Sequence, residues 1–211
     1  MKKRVNFCKR YKDWSENDWH KVMFSDESTF SQFGTHLCRV RRPVSERYNS
    51  RYTVATMKHP QKVMVWGCFS AFGRGSIHFL KTGETVNAQK YLEILEDRLP
   101  NAMAIHGAMI FQQDGAPAHT ANKVKEWFRN QKINVLEWPG NSPDLNPIEN
   151  LWELLKRKLA AKCPKNMQDV IFWLKYIWCR EITPELCARL VNSMPRRLRT
   201  VLSKKGGQTK Y

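Results

Sequence analysis

The sequence predicts an α/β fold, a mixed β-sheet with helices packed on it. Three observations predict it. The first third carries short β-rich runs, the middle alternates strand and helix patterns, and the remainder is helical in its apolar spacing.

Taken in order, residues 1–19 are polar and basic and read as a linker-like segment, with Ser15 and Asp18 spaced for a short capped helix. A single domain then fills residues 20–211 and ends in a basic C-terminal tail. Lys21–Phe33 carries Val22, Phe24 and Phe30 on a β-rich background, and Gly34 ends it. Leu37–Val44 alternates basic and apolar residues, as an exposed-face strand does. Val63–Ser70 is nearly continuous in apolar residues and reads as a central strand; a Gly73-Arg74-Gly75 turn leads to a further strand at Ser76–Leu80. A helix is expected over Asn87–Leu99, a strand over Ala108–Gln112, a helix over His119–Gln131 and a strand over Ile133–Leu136. Helices follow at Pro147–Lys162, Met167–Arg180 and Pro184–Ser193. Tryptophans can stack on unpaired bases, yet Trp66, Trp127 and Trp152 fall in apolar patterns and read as core.

Thirty-six Lys and Arg stand against nineteen Asp and Glu, a formal net charge of +17 that points to a polyanionic partner. Charge by itself says nothing about fold or specificity. The six cysteines form no C-x-x-C pair and no zinc-finger spacing; Cys179 and Cys187 read as buried small hydrophobes. No apolar run approaches the about 18–20 residues that span a bilayer, and the basic start is followed by no apolar stretch of a secretory signal. These features fit reduced thiols in an intracellular protein with no membrane partner, nuclear if the polyanion is DNA.

Against this positive background, three acids end apolar elements. Asp26 closes Val22-Met23-Phe24-Ser25, Asp114 follows Phe111-Gln112-Gln113, and Glu149 opens a helix after Asn146-Pro147-Ile148. Each has an ordinary structural role open to it. Glu149 at the third helical position suits a capping box with Asn146, worth about 1 kcal/mol. Asp114-Gly115 suits a turn, and Asp26-Glu27-Ser28 suits a solvated strand end. Taken singly, those roles explain each residue better than chemistry does. Together, the acids fall where strand ends and a helix start border a sheet's ligand crevice. Glu27 and Asp144 flank members of the trio, but their adjacent positions put them on other faces.

Ser25-Asp26-Glu27-Ser28, Val65-Trp66-Gly67, Gln113-Asp114-Gly115-Ala116-Pro117-Ala118-His119 and the block from Trp138 to Trp152 resemble transposases of the Tc/mariner superfamily. Met194-Pro195-Arg196-Arg197-Leu198 and Thr209-Lys210-Tyr211 resemble that family's C-terminus. The resemblance runs from about residue 10 onward and is most specific over Ser142–Trp152. It implies a ribonuclease-H-like catalytic core whose DDE triad is Asp26, Asp114 and Glu149. The 34 residues between the last two agree with the Tc-type branch. It further implies cut-and-paste transposition on double-stranded DNA, with transposon ends and a TA target as substrates and a homo-oligomer on DNA.

The chemistry expected of such a triad is two-metal phosphoryl transfer by Mg²⁺, with Mn²⁺ as a substitute, and the three carboxyl groups close enough to share the metal pair. His119 is a candidate for phosphate contact at the pocket's edge, or equally a histidine bonded to backbone at a helix start. Arg196, Arg197, Arg199, Lys204 and Lys205 are candidates for sequence-independent phosphate contact, or a solvated tail.

Two departures stand out. Nothing matches the family's N-terminal pair of helix-turn-helix modules, which implies a catalytic fragment, a truncated product or a domesticated derivative. Lys58-His59-Pro60-Gln61-Lys62 stands where some relatives carry a glycine-rich strip. The rival function is therefore a domesticated or inactive transposase-derived protein that binds DNA. A hydrolytic ribonuclease of the same fold agrees less well with the Ser142–Trp152 block.

Overall fold

A computed structural model describes residues 1–32, 41–52, 61–81 and 83–211. The described elements are α1 (Lys2–Tyr11), α2 (Glu16–His20), β1 (Val22–Ser31), β2 (Lys62–Ser70), β3 (Gly73–Phe79), α3 (Ala88–His106), β4 (Ile110–Gln112), α4 (Asn122–Asn130) and β5 (Asn134–Leu136). Four helices follow: α5 (Ile148–Ala161), α6 (Met167–Glu181), α7 (Pro184–Asn192) and α8 (Met194–Ser203).

The five strands form one sheet in the order β3-β2-β1-β4-β5. β1, β2 and β3 pair antiparallel; β4 joins β1, and β5 joins β4, in parallel. The parallel pairing of β1 with β4 needs a crossover, which α3 supplies. Side chains of β1 alternate between faces, so Phe24 enters the apolar layer beneath α5 to α8 while Met23 enters the layer beneath α3 and α4. Trp66, Trp127 and Trp152 are buried, as their apolar settings require.

Val65-Trp66-Gly67 has a packing explanation. Gly67 lies opposite Asp26 on the neighbouring strand, and Trp152 of α5 crosses directly over it. A Cβ at position 67 would stand 2.7 Å from the Trp152 ring. Trp152 in turn stacks on Trp178 at 5.7 Å. Gly67→Ala is expected to cost about 1–3 kcal/mol, because neither ring has room to retreat. Urea denaturation measures the loss.

Several elements differ from their sequence reading. Residues 1–19, read as a linker-like segment, fold as α1 and α2 and bury Phe7, Cys8 and Trp19 in the sheet's apolar layer. The Ser15–Asp18 capping box forms as expected. The hairpin between β2 and β3 turns at Ala71-Phe72, and the Gly73-Arg74-Gly75 stretch lies inside β3. Gly75 belongs there because an added Cβ would meet the Cys68 sulfur at 2.7 Å. α3 runs past Pro100 to a left-handed Gly107 cap. Pro100 is exposed, so the carbonyl it leaves without a partner faces water. α8 is a helix where a basic tail was expected. Cys187 is buried, but Cys179 is exposed. The strand expected at Leu37–Val44 falls mostly outside the described residues, as does most of Lys58–Lys62; of the described part, Arg41–Pro43 is irregular and Val44 opens a short 3₁₀ turn. No described helix is long and apolar enough to cross a membrane.

Candidate active site

Asp26 projects from β1 toward α5, where the Trp152 indole N–H donates to its Oδ2 at 3.1 Å. Glu149 occupies the first turn of α5, and Asp114 follows the end of β4. All three line one cleft of about 410 Å³, walled by Gly115–Pro117 and the Trp138–Pro143 loop.

Short-range bonds between the motifs set this convergence. The Ser25 hydroxyl donates to the Gln112 carbonyl at 2.8 Å, tying the strand of Asp26 to the strand that delivers Asp114. The Asn146 amide donates to the Ser25 carbonyl at 3.2 Å, drawing the start of α5 against β1. Its Oδ1 accepts from Ile148 N at 3.4 Å, but α5 begins at Ile148 with Pro147 at the cap position, so Asn146 is not the N-cap expected and Glu149 is the second helical residue rather than the third. The Asn146 N–H is already bonded to the Pro143 carbonyl at 2.9 Å. A capping box would use Glu149 for that N–H, so Glu149 has no capping task. No hydrogen bond to its carboxylate is found among the described residues.

The electrostatics separate the three acids. Burial, followed by the like charges of Glu27 and Glu149, pushes the Asp26 carboxyl up to about 8. Burial also raises Glu149, with Lys156 opposing. Asp114 is held below the usual carboxylate range, first by the hydrogen bond from His119. Asp26 and Glu149 thus resist ionising in the cleft, whereas Asp114 does not.

Hard oxygen donors of this kind suit Mg²⁺ or Mn²⁺. Yet among the described residues no group of three His, Cys, Asp or Glu side chains stands close enough to enclose a metal. The expectation that the three carboxyls are already close enough to share a metal pair is therefore corrected. Asp114 Oδ1 is turned to His119 Nδ1 (2.6 Å) and the Ala116 N–H (2.9 Å), and Asp26 Oδ2 is turned to Trp152. The Glu149 carboxylate carries no such bond among the described residues and lines the same cleft.

His119 does not lie at the rim. It is buried, its ring lies 4.0 Å from that of Tyr91, and its second nitrogen meets Glu27 Oε1 at 3.2 Å. Burial alone would lower its pKa, but the bonds to Asp114 and Glu27 raise it to about 10, which favours the protonated ring that can donate to both carboxylates. Glu27 does face away from Asp26, yet through His119 it reaches Asp114. α4 begins at Asn122 rather than at His119, because His119 and Thr120 turn back onto the Ala116 carbonyl. Ser25, Glu27, Gln112 and Asn146 were not expected to build the site. The available signal was their position inside the same motifs as the acids.

The basic candidates divide. Arg197 is buried and donates to the Asp144 carbonyl (2.8 Å), Ser193 Oγ (2.8 Å) and Asn150 Oδ1, so it is not available to phosphate. Arg196, Arg199, Lys204 and Lys205 are exposed, Arg196 lying over the Tyr211 ring. Asp144 is buried against Arg4, with N–O distances of 2.7 and 2.8 Å, and also accepts from the Thr209 N–H and hydroxyl.

Residues 21–171 match the family described as DDE superfamily endonuclease. The transposable element Tcb1 transposase of Caenorhabditis briggsae is 40% identical over 214 residues, covering 100% of this chain and 77% of that protein. The Mos1 mariner paired-end complex with Mn superposes with a TM-score of 0.83 at 25% identity, over 99% of this chain and 63% of that one. The corresponding complex with Mg gives 0.83 at 26% identity, over 98% of this chain and 62% of that one. The ribonuclease-H-like arrangement of sheet and helices agrees with the fold expected from the motifs. The chain belongs to the DDE superfamily endonucleases, as an enzyme domain of the Tc1/mariner transposase type.

Proposed function

We propose that this domain cuts DNA at transposon ends and joins the freed ends to a TA target, using Asp26, Asp114 and Glu149 as its catalytic carboxylates. The observation that carries the reading is their convergence: three acids from β1, the end of β4 and the start of α5 line one cleft in a chain of net charge +17. When bound, a pair of Mg²⁺ ions, or Mn²⁺ in their place, supplies Lewis acidity and activates the attacking oxygen for in-line phosphoryl transfer. Asp26, Asp114 and Glu149, which line the cleft together, would hold that pair. Trp152 orients Asp26 through its indole N–H, and Asn146 holds the start of α5 so that Glu149 faces Asp26. His119 fixes Asp114 through Oδ1, and Glu27 fixes His119.

The Mos1 structures are paired-end complexes, which supports double-stranded DNA ends as substrate and a homo-oligomer as the working unit. Chromosomal DNA as target makes the nucleus the site of action. Exposed Arg196, Arg199, Lys204 and Lys205 are proposed as phosphate contacts, with a binding strength that falls steeply with salt.

The test is nicking of end-bearing DNA by this chain, or by its fusion to a DNA-binding region, in Mg²⁺, Mn²⁺ and chelator. Metal-dependent nicking supports the proposal; salt-sensitive binding with no cleavage in either metal would favour the rival of a DNA-binding derivative. Glu27→Ala is expected to lower nicking by about 10–100-fold, as loss of a partner behind a metal ligand does. Glu27→Gln keeps an oxygen for His119 and is expected to lose much less. Single-turnover rates across a metal titration distinguish the two.

A further inference from the structure

We propose that a trough leaving the acidic cleft past Trp138 holds an unpaired nucleotide of the strand being cut. The inference rests on the DNA-cutting function proposed above and adds a subsite to it.

A second cavity, of about 670 Å³, adjoins the cleft. Asp114, Gly115 and Trp138 line both, so the two spaces adjoin and share Trp138 as a common wall. The volume lies in the range of about 300–1,000 Å³ found for sites of small organic ligands. A duplex is too broad to enter such a space, whereas a single base with its phosphate is not.

The lining of this second cavity is mixed. Phe128, Ile133 and Val135, between α4 and the edge strand β5, give it an apolar part, beside polar His119, Thr120 and Asn134. Lys125 and Arg129, one helical turn apart on α4 and both exposed, also line it. Neither forms an ion pair among the described residues, so their charge is free for a ligand. Glu137 also lines the cavity, but Arg10 of α1 pairs with it.

An apolar wall and two uncommitted cations lining one cavity fit a base and a neighbouring phosphate. Trp138 is half-buried, and the Phe7 ring meets it edge-on at 5.0 Å, which fixes its orientation. A fixed indole is a stacking platform that accepts any base. Its position beside Asp114 puts the stacked base next to the phosphate that the carboxylates would address.

The test compares a blunt duplex with one bearing a single-nucleotide overhang of 2-aminopurine, bound in chelator so that no cutting intervenes. The expected result is tighter binding of the overhang DNA with quenching of its fluorescence. Trp138→Ala is expected to erase that preference, about tenfold or more, while Trp138→Phe retains most of it. Because Trp138→Ala also removes a contact to Phe7, Lys125→Ala/Arg129→Ala provides an independent arm on exposed residues. That double variant is expected to weaken overhang binding and to flatten the log–log salt slope by about 1.4.

Equal affinity for the two DNAs, unquenched fluorescence, or a Trp138→Phe variant no better than Trp138→Ala would overturn the inference. The two proposals fail separately. Overhang binding that obeys these variants without any nicking in Mg²⁺ would sink the cutting function and leave the subsite. Nicking with no overhang preference would do the reverse.

Discussion

Asp114→Asn is expected to take metal-dependent nicking to background and leave the fold intact. Asn keeps a carbonyl oxygen where Asp114 Oδ1 now accepts from the Ala116 N–H and from His119, so the turn after β4 retains both bonds. What disappears is the negative charge, and with it one donor of a hard-cation site. The loss should exceed the about 10–100-fold that follows removal of a mere supporting partner. Glu149→Gln provides a second arm. No hydrogen bond to the Glu149 carboxylate is found among the described residues, so its substitution leaves no partner stranded. Unchanged thermal melting with lost nicking in both variants is the expected pair of results. Activity retained in Asp114→Asn to within about tenfold of the parent would remove Asp114 from the catalytic set.

Arg4→Ala is expected to be the most destabilising single change among those considered, at about 3–5 kcal/mol. Arg4 and Asp144 form a two-pronged ion pair whose side chains are 8% and 7% exposed, which places it in the interior, where an abandoned charge is costly. Arg4 also donates to the Gly206 and Gly207 carbonyls, so its removal frees the C-terminal segment as well. Replacing both partners together, as Arg4→Met with Asp144→Leu, should cost far less, because no lone buried charge remains.

The pair also gives a pH dependence of definite sign. Burial would raise the Asp144 carboxyl, but the bonds from Arg4 and Thr209 overcome it and hold the folded group below its ordinary value. The stabilisation is therefore complete above the unfolded carboxylate pKa of about 4 and drains away as acid takes the pH down through the depressed folded value. Urea midpoints measured from neutral to acid should fall more steeply for the parent than for Arg4→Ala, which has already lost this contribution.

The sheet was legible because its strands are written in apolar runs: β1, β2, β4 and β5 lie where those runs predict them. The helices of the middle and C-terminal parts followed from apolar spacing. The N-terminal helix was not legible, because Lys2-Lys3-Arg4 reads as solvated charge and nothing local announces that Arg4 meets Asp144, 140 positions away. Arg197 misled in the same way: a basic run on a helix does not reveal which of its members turns inward. In the acidic cleft, the motifs located Asp26, Asp114 and Glu149, while the side-chain orientations lay beyond them. Asp114 turns toward His119, and His119 toward Glu27, with Tyr91 of α3 packed over the same ring.

The order in which the strands lie in the sheet has a consequence for biosynthesis. β1 meets β2 as soon as both have left the ribosome, but β4 can join β1 only after the long crossover of α3 exists. Glu149 comes later still, and Asp144 is clasped only once Thr209, 65 positions further on, has been made. A nascent polypeptide thus carries carboxylates without a common chamber, and the power to cut is born with the finished domain.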